Sequence, residues 1–191
     1  MNILSLTGEN ALGMTDEQIM LQVKSGRLDQ LSVLFQRYQL PLYNFFVRLT
    51  QDEQLSEDFT QNVFERILKY RHSYKNEASF RSWIYQIARN VRTDHYRLNK
   101  VRIDANADLP SLSLEADSFL DRLEAREEEK QLERAIAQLK EEYREVLLLG
   151  WIERMKYAEV GESLGISEAN VKVRMHRAVK QLRNIVQQTE C

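Results

Sequence analysis

One stretch of the chain alternates arginine and tyrosine in a way that suggests contact with nucleic acid. Drawn as a helix, FRSWIYQIARNVRTDHYR (80–97) has apolar side chains on one side and a mixed arc on the other. This arc spans about 80° and holds Arg81, Tyr85, Arg89, Arg92 and Tyr96, which we call the arginine-tyrosine stripe. Arginines bind phosphates and tyrosine rings stack on unpaired bases, so the stripe predicts a surface for single-stranded nucleic acid. A purely structural helix also exposes charges, but it seldom interleaves them with aromatic rings on so narrow an arc.

A second candidate lies near the C-terminus, where YAEVGESLGISEANVKVRMHRAVKQLR (157–183) has the pattern of a helix-turn-helix. Gly165 suits the left-handed conformation that the turn needs, and Ser167 suits the cap of the second helix. The inner arc of that second helix is apolar. Its outer arc, which we call the reader face, holds Lys172, Val173, His176, Arg177 and Lys180. This contrast is typical of a helix that enters the major groove of duplex DNA.

The residue types of the reader face suggest how bases would be recognised. Arg177 and Lys172 match guanine edges, and Val173 matches a thymine methyl group. Arg174, Lys180 and Arg183 are expected to contact phosphates. On spacing alone, an αα-hairpin whose second helix carries solvated charges is the alternative.

The net charge of the chain hides a strong segregation of charge. Its 191 residues include 27 Lys and Arg against 29 Asp and Glu, and the resulting charge of −2 argues against a nucleic-acid partner. The segments differ, however: residues 64–102 carry +7, residues 103–133 carry −7 and residues 168–191 carry +3. Both candidate helices therefore lie in basic blocks, and an acidic segment separates them.

The rest of the composition excludes several classes of protein. The single cysteine, Cys191, cannot form an internal disulfide, and the three histidines form no cluster with the spacing of metal ligands. No phosphate-binding loop, carboxylate pair or nucleophile–base constellation stands out. We therefore expect no metal, no cofactor and no catalytic activity. Without a signal peptide or a run of roughly 18 apolar residues, the chain is expected to be cytoplasmic and not inserted in a membrane.

The apolar periodicity predicts an all-α fold of two small helical domains joined by a flexible acidic linker. The first helix is expected to begin at Thr15 or Asp16 and to end near Gly26, and a longer helix from Leu31 contains Pro41. We place a disordered tail at 1–13, the first domain at 14–98, the linker at 99–126 and the second domain at 127–187.

Three segments share, in order, the pattern of a known family. They are DFTQNVFERI (58–67), FRSWIYQIARNVRTDHYR (80–97) and LKEEYREVLLLGWIERMKYAEVGESLGISEANVKVRMHRAVKQLR (139–183). Together they resemble the RNA polymerase sigma factors of the sigma-70 family, extracytoplasmic-function subfamily. The resemblance implies that the first domain is sigma region 2 and the second is sigma region 4. It also implies a protein that binds core RNA polymerase and directs promoter-specific initiation.

For region 2, the resemblance implies two contacts besides the stripe. The D-x-x-Q motif would dock on the clamp helices of the polymerase β′ subunit through Asp58, Gln61, Asn62 and Phe64, with Asn62 where glutamate is usual. In the loop 73–78, Asn76 would hydrogen-bond a base flipped out of the minus-10 element. The stripe itself would follow the melted non-template strand.

For region 4, the resemblance implies that the reader face recognises the minus-35 element as duplex DNA. Tyr143, Val146 and Leu147 would form both core and a groove for the flap of the polymerase β subunit. Arg154 stands where glycine is common and Gly161 where alanine is common, and both are expected to loosen the helix-turn-helix slightly. An anti-sigma factor is a common partner in the family and is expected here.

A different class of protein also fits part of the pattern. A stand-alone helix-turn-helix regulator would use the N-terminal helices to dimerise. The stripe favours the sigma factor, because a dimerisation domain has no reason to display alternating arginine and tyrosine.

Overall fold

A computed structural model describes residues 13–75, 77, 79–105 and 127–189, and these ranges are helical with short turns between the helices. The first half contains α1 (Asp16–Lys24), α2 (Leu31–Thr50), α3 (Glu53–Tyr70) and α4 (Phe80–Ala105). The second half contains α5 (Glu127–Ala137), α6 (Glu141–Leu147), α7 (Tyr157–Leu164) and α8 (Glu168–Thr189). Short 3₁₀ turns at Leu28–Gln30 and Arg71–Ser73 and a π-helical turn at Leu148–Ile152 complete the described part. The prediction of an all-α fold is confirmed.

Local chemistry explains where the first helices begin and end. Thr15 caps α1, because its side chain accepts a hydrogen bond from the Gln18 backbone and the Gln18 side chain accepts one from the Thr15 backbone. Helix α2 continues through Pro41 and ends at Gln51, which has a left-handed φ of 58°. The Asp52 carboxylate then caps α3 by accepting a hydrogen bond from the Leu55 N–H.

An aromatic core holds the first half together. Phe46, Phe59, Tyr74, Phe80 and Tyr85 are buried, and several of their rings meet other rings edge to face at centroid distances of 5.2–6.1 Å. Burial of rings of this size is a dominant stabilising contribution in a domain with few residues. It fixes α4 against α2 and α3, so the orientation of the arginine-tyrosine stripe is set by the core behind it.

The second half is built around the predicted helix-turn-helix. Gly165 ends α7 with a φ of 66°, and the Ser167 hydroxyl accepts a hydrogen bond from the Asn170 N–H at the start of α8. Both predictions for this turn are confirmed. Arg154 has a φ of 54°, a left-handed conformation that explains why glycine suits this position.

Gly161 has a packing role that the expectation of a looser motif did not include. A Cβ atom at this position would lie 2.7 Å from the carbonyl oxygen of Ile166, on the backbone of the turn. The Gly161 carbonyl also accepts a hydrogen bond from the Ile166 N–H. Glycine therefore allows α7 and the turn to approach more closely than alanine would.

The two halves pack against each other. Helix α7 crosses α4 where two buried serines meet: the Ser163 hydroxyl donates to the Ser82 carbonyl, and the Ser82 hydroxyl donates to the Glu159 carbonyl. Helices α5 and α6 contact α2, where Arg48 forms a two-pronged ion pair with Glu133. Helix α4 also runs past the predicted boundary at residue 98. Most of the predicted linker and tail lies outside the described residues.

Candidate nucleic-acid interface

The reader face of α8 is exposed, as the helical projection predicts. Lys172, Val173, His176, Arg177 and Lys180 all lie at the surface, and Val173 keeps 47% of its area in contact with solvent. On the opposite side, Val171, Ala178 and Leu182 are buried in the core. The arrangement gives one helix an anchored apolar side and an accessible basic side, which is the geometry of a major-groove reader.

Two cations of α8 have partners within the second half. Lys172 pairs with Glu168 one turn earlier, with 2.7 Å between Nζ and the carboxylate, and this contact raises the pKa of Lys172. Arg174 is half-buried, pairs with Glu142 of α6 at 3.4 Å and donates to the Asn170 side chain. Contact of Arg174 with a DNA phosphate would therefore replace interactions that it already makes.

The arginine-tyrosine stripe is only partly exposed. Arg89 lies at the surface and Tyr96 keeps 44% of its area in contact with solvent, as predicted. The other three members, Arg81, Tyr85 and Arg92, face the second half of the chain. The expectation of a continuous exposed surface is wrong for Tyr85 and Arg92, which are buried, whereas Arg81 keeps 36% of its side-chain area accessible.

Tyr85 belongs to the core rather than to the surface. Only 1% of its area is accessible, and its ring meets that of Phe45 edge to face at 5.2 Å. Burial raises the pKa of its hydroxyl, and the nearby Glu153 carboxylate raises it further. Tyr85 cannot stack on a base in this arrangement.

Arg92 is enclosed between the two halves of the chain. Its guanidinium pairs with Glu145 at 2.9 Å and with Glu141 at 2.6 Å, both on α6. Burial raises the pKa of Glu145, whereas the charge of Arg92 opposes that rise. Because only 7% of the Arg92 side chain is accessible, a phosphate cannot reach it while the halves are packed.

Arg81 also contacts the second half, beyond the end of α6. It donates to the backbone carbonyl of Glu153 and lies 3.5 Å from the carboxylate of the same residue. Close by, the Ser79 hydroxyl donates to Glu159 of α7 at 2.9 Å. Acidic residues of the second half thus contact Arg81 and Arg92 and lie near the Tyr85 hydroxyl.

The region-2 residues predicted to bind polymerase divide between surface and core. Asp58 and Gln61 are exposed, and Asn62 is half-buried, with its side-chain oxygen 2.9 Å from Nε of Arg66. Phe64 is 6% accessible and packs against Phe35 at 4.8 Å, so its prediction as a surface contact is wrong. Its apolar character serves the core between α2 and α3.

Sequence reasoning missed an apolar cleft beside the D-x-x-Q motif. The cleft has a volume of about 460 Å³ and is lined by Phe35, Leu40, Tyr43, Thr60 and Gln61, among others. Phe35 and Leu40 are exposed although both are large and apolar. On a helical projection Phe35 falls within the apolar arc of α2, so periodicity alone did not mark it as exposed, whereas Leu40 falls opposite that arc.

The residues predicted to form both core and groove in region 4 lie mainly in the core, and one of them, Leu147, also lines a cleft. Val146 and Leu147 are buried core residues, whereas Tyr143 is half-buried. A cleft of about 370 Å³ lies beside them, between the π-helical turn and α8, and includes Leu147, Trp151, Tyr157, Met175 and Val179. Trp151 is 53% accessible. A tryptophan that follows the apolar run 146–149 is the feature of the sequence that could have pointed to this cleft.

The central residue of the predicted minus-10 pocket, Asn76, lies outside the described residues, as does Ala78. The loop before it is anchored: the Tyr74 ring is fully buried, and its carbonyl accepts a hydrogen bond from the Lys24 side chain at 2.6 Å. The prediction for Asn76 stays a prediction.

Within the described part of the chain, no group of three or more Asp, Glu, His or Cys side chains is placed to hold a metal ion. No helix of these ranges is long and apolar enough to cross a membrane.

Comparison with known proteins agrees with this arrangement of helices. Residues 34–101 match the family model for sigma-70 region 2, and residues 129–182 match that for sigma-70 region 4. The two matches define a two-domain initiation factor of the sigma-70 type. They occur in the order expected from the sequence.

More specific relatives identify the subfamily. The chain is 31% identical over 150 residues to the ECF RNA polymerase sigma factor SigM of Bacillus subtilis, covering 78% of this chain and 91% of that protein. It is 29% identical over 156 residues to SigX of the same species, covering 79% and 80%. The chain belongs to the extracytoplasmic-function sigma factors, and the stand-alone regulator is not supported.

Two solved structures share the fold. CnrH, solved in complex with the cytosolic domain of CnrY, superposes with a TM-score of 0.67 at 21% identity, covering 91% of this chain and 97% of that one. RpoE of Bartonella quintana, solved in complex with the anti-sigma factor NepR, gives 0.70 at 16% identity, covering 82% and 96%.

Proposed function

We propose that this chain directs core RNA polymerase to its promoters with two separate readers. The reader face of α8 recognises the minus-35 element as duplex DNA, and the arginine-tyrosine stripe of α4 follows the melted minus-10 strand. The exposed basic side of α8, opposite a buried apolar side, carries this proposal. Arg177 and Lys172 would read guanines, Val173 a thymine methyl, and Lys180 and Arg174 the phosphates.

The polymerase itself would bind on two other surfaces. Exposed Asp58 and Gln61 would contact the β′ clamp helices, and the apolar cleft with Phe35 and Leu40 beside them adds buried area. The β flap would enter the cleft around Trp151, because an exposed tryptophan beside an apolar cleft is a typical anchor of a protein interface. The first surface lies on α2 and α3, and the second borders α8 at Met175 and Val179.

The remaining proposals concern the setting in which the protein acts. Asn76 would capture the flipped base, from a loop that Tyr74 anchors. The protein would act in the cytoplasm, where promoter DNA is found, as an initiation factor without catalytic chemistry of its own. An anti-sigma factor would control it, since RpoE of Bartonella quintana, which shares the fold, was solved in complex with the anti-sigma factor NepR.

Transcription with purified bacterial core polymerase tests the proposal. We expect the protein to co-purify with core polymerase and to produce run-off transcripts from a subset of a promoter library that shares one minus-35 and one minus-10 sequence. The protein alone should bind the same duplexes weakly. Tight binding of the free protein to a palindromic duplex, together with failure to bind core polymerase, would contradict it.

A further inference from the structure

Carboxylates of the second half of the chain contact members of the arginine-tyrosine stripe, which lies in the first half. Glu141 and Glu145 lie one turn apart on α6 and both bind the Arg92 guanidinium. Glu153, in the turn after α6, contacts Arg81 and lies near the Tyr85 hydroxyl. An acidic surface of one domain therefore follows the same arc that was assigned to a nucleic-acid strand.

The chemistry of these contacts resembles that of a bound phosphate backbone. Guanidinium groups bind carboxylates and phosphates with the same planar, charge-assisted hydrogen bonds. A single guanidinium cannot use the same N–H groups for both at once. The Arg92 and Glu145 side chains are 7% and 9% accessible, so the contact excludes a strand sterically as well as electrostatically.

The contact between the halves includes many polar groups. Besides the stripe, these are the Arg48–Glu133 ion pair and the hydroxyl contacts of Ser82 and Ser163. Arg144 of α6 donates to the Leu49 carbonyl of α2 at 3.3 Å. Polar contacts of this kind can be replaced by contacts with water when domains separate. Buried apolar residues also continue from one half into the other, so the interface combines exchangeable ion pairs with apolar packing.

We infer that the second domain is an internal competitor of single-stranded DNA, with Glu141, Glu145 and Glu153 in place of the phosphates. In the closed arrangement the stripe is blocked, although the reader face of α8 is open. Separation of the domains frees Arg81 and Arg92 from their carboxylate partners and removes Glu153 from the Tyr85 hydroxyl. The inference rests on the proposed role of the stripe and adds that the free protein restrains this role by itself.

A pair of charge reversals on the same helix tests the inference in the full-length protein. Glu145→Lys places a cation against Arg92 and opens the contact. Glu142→Lys, its matched control on α6, makes the same change of charge at an exposed residue that pairs with Arg174 inside the second half. The probe is a fluorescent single-stranded oligonucleotide, and its affinity is measured by anisotropy at several salt concentrations without polymerase.

We expect Glu145→Lys to raise the affinity for the oligonucleotide by about fivefold or more over the Glu142→Lys control. Equal affinities of the two variants would overturn the inference. Glu133→Lys, opposite Arg48 and remote from the stripe, provides a second route to the open form, so a folding defect of Glu145→Lys does not end the test. Failure of Glu133→Lys to raise the affinity of a folded protein would overturn the inference in the same way.

Measurements in the polymerase complex separate this inference from the function proposed for the stripe. If Arg89→Ala weakens binding of the oligonucleotide to the holoenzyme while Glu145→Lys and Glu142→Lys behave alike in the free protein, only the internal competitor is wrong. If Arg89→Ala has no effect in the holoenzyme, the role of the stripe itself is wrong, and the inference falls with it.

Discussion

The same helical projection predicted that one face of α8 and one face of α4 contact DNA, yet the two faces differ in their exposure to solvent. The basic side of α8 is open, whereas most of the stripe on α4 lies under α6 and the turn that follows it. The projection identifies the side of a helix that does not belong to the core of its own domain. It does not tell whether a second domain lies on that side.

The largest expected difference between the two helices is in stability. Arg92→Ala should lower the free energy of unfolding by about 3 kcal/mol, because it leaves Glu145 buried without its closest cation. Arg177→Ala removes an exposed side chain and should change it by less than about 0.5 kcal/mol. Denaturant unfolding of both variants measures this contrast. Equal losses would mean that Arg92 is not held by the second half.

Arg177→Ala should instead affect DNA recognition. We expect a loss of about 2 kcal/mol in discrimination at one base pair of the minus-35 element. Competition among duplexes that differ at single positions, bound by the holoenzyme, measures it. Arg183→Ala is the contrast, because Arg183 is exposed on α8 and is expected to contact a phosphate, so its loss should weaken all sequences about equally. If Arg177→Ala weakened all sequences equally, Arg177 would be a phosphate contact and not a base reader.

Tyr96 tests the exposed end of the stripe. Tyr96→Ala should weaken binding of a single-stranded minus-10 oligonucleotide to the holoenzyme by about 1.5 kcal/mol, through loss of stacking. Tyr70→Ala is a matched control, since Tyr70 is 46% accessible but lies on α3, away from the stripe. Similar losses in both variants would remove Tyr96 from the strand's path.

Gly161 tests the geometry that presents α8. Gly161→Ala should destabilise the protein by about 1 kcal/mol, because the added Cβ meets the Ile166 carbonyl and the turn must move. Affinity for minus-35 duplex should fall with it. Glu162→Ala, at an exposed neighbouring position of α7, should leave both quantities unchanged. A more stable Gly161→Ala variant would contradict the packing role of the glycine.

The smallest expected effect is at Arg154, which precedes α7. Arg154→Gly should stabilise the protein by about 0.5 kcal/mol, because glycine adopts a φ of 54° without the cost that an L side chain has. Arg154→Ala keeps a Cβ and should show no gain, which separates backbone strain from loss of charge. Thermal unfolding measures both. A gain in the alanine variant would assign the effect to charge.

The features predicted correctly are those that neighbouring residues determine. Thr15 caps α1, Gly165 turns the chain and Ser167 caps α8, because each of these contacts spans only a few residues. The buried side of α8 also followed from its periodicity. These parts needed no knowledge of the rest of the fold.

The features predicted wrongly depend on partners that are distant in sequence. Tyr85 and Arg92 become buried because of residues forty or more positions away, which no local pattern contains. Phe64 looked like part of a docking motif but packs against Phe35. The cleft at Trp151 depends on a π-helical turn, whose geometry the periodicity of an α-helix does not predict.

A distance measured across the two halves tests the central claim most directly. Paired spin labels at Arg27 and Glu162, both exposed and outside every proposed binding surface, would be introduced in a chain whose Cys191 is replaced by serine. We predict one short, narrow distance distribution for the free protein, and a longer one when core polymerase and promoter DNA are added. The same distribution in both states would contradict the claim that the second domain covers the stripe until the initiation complex forms.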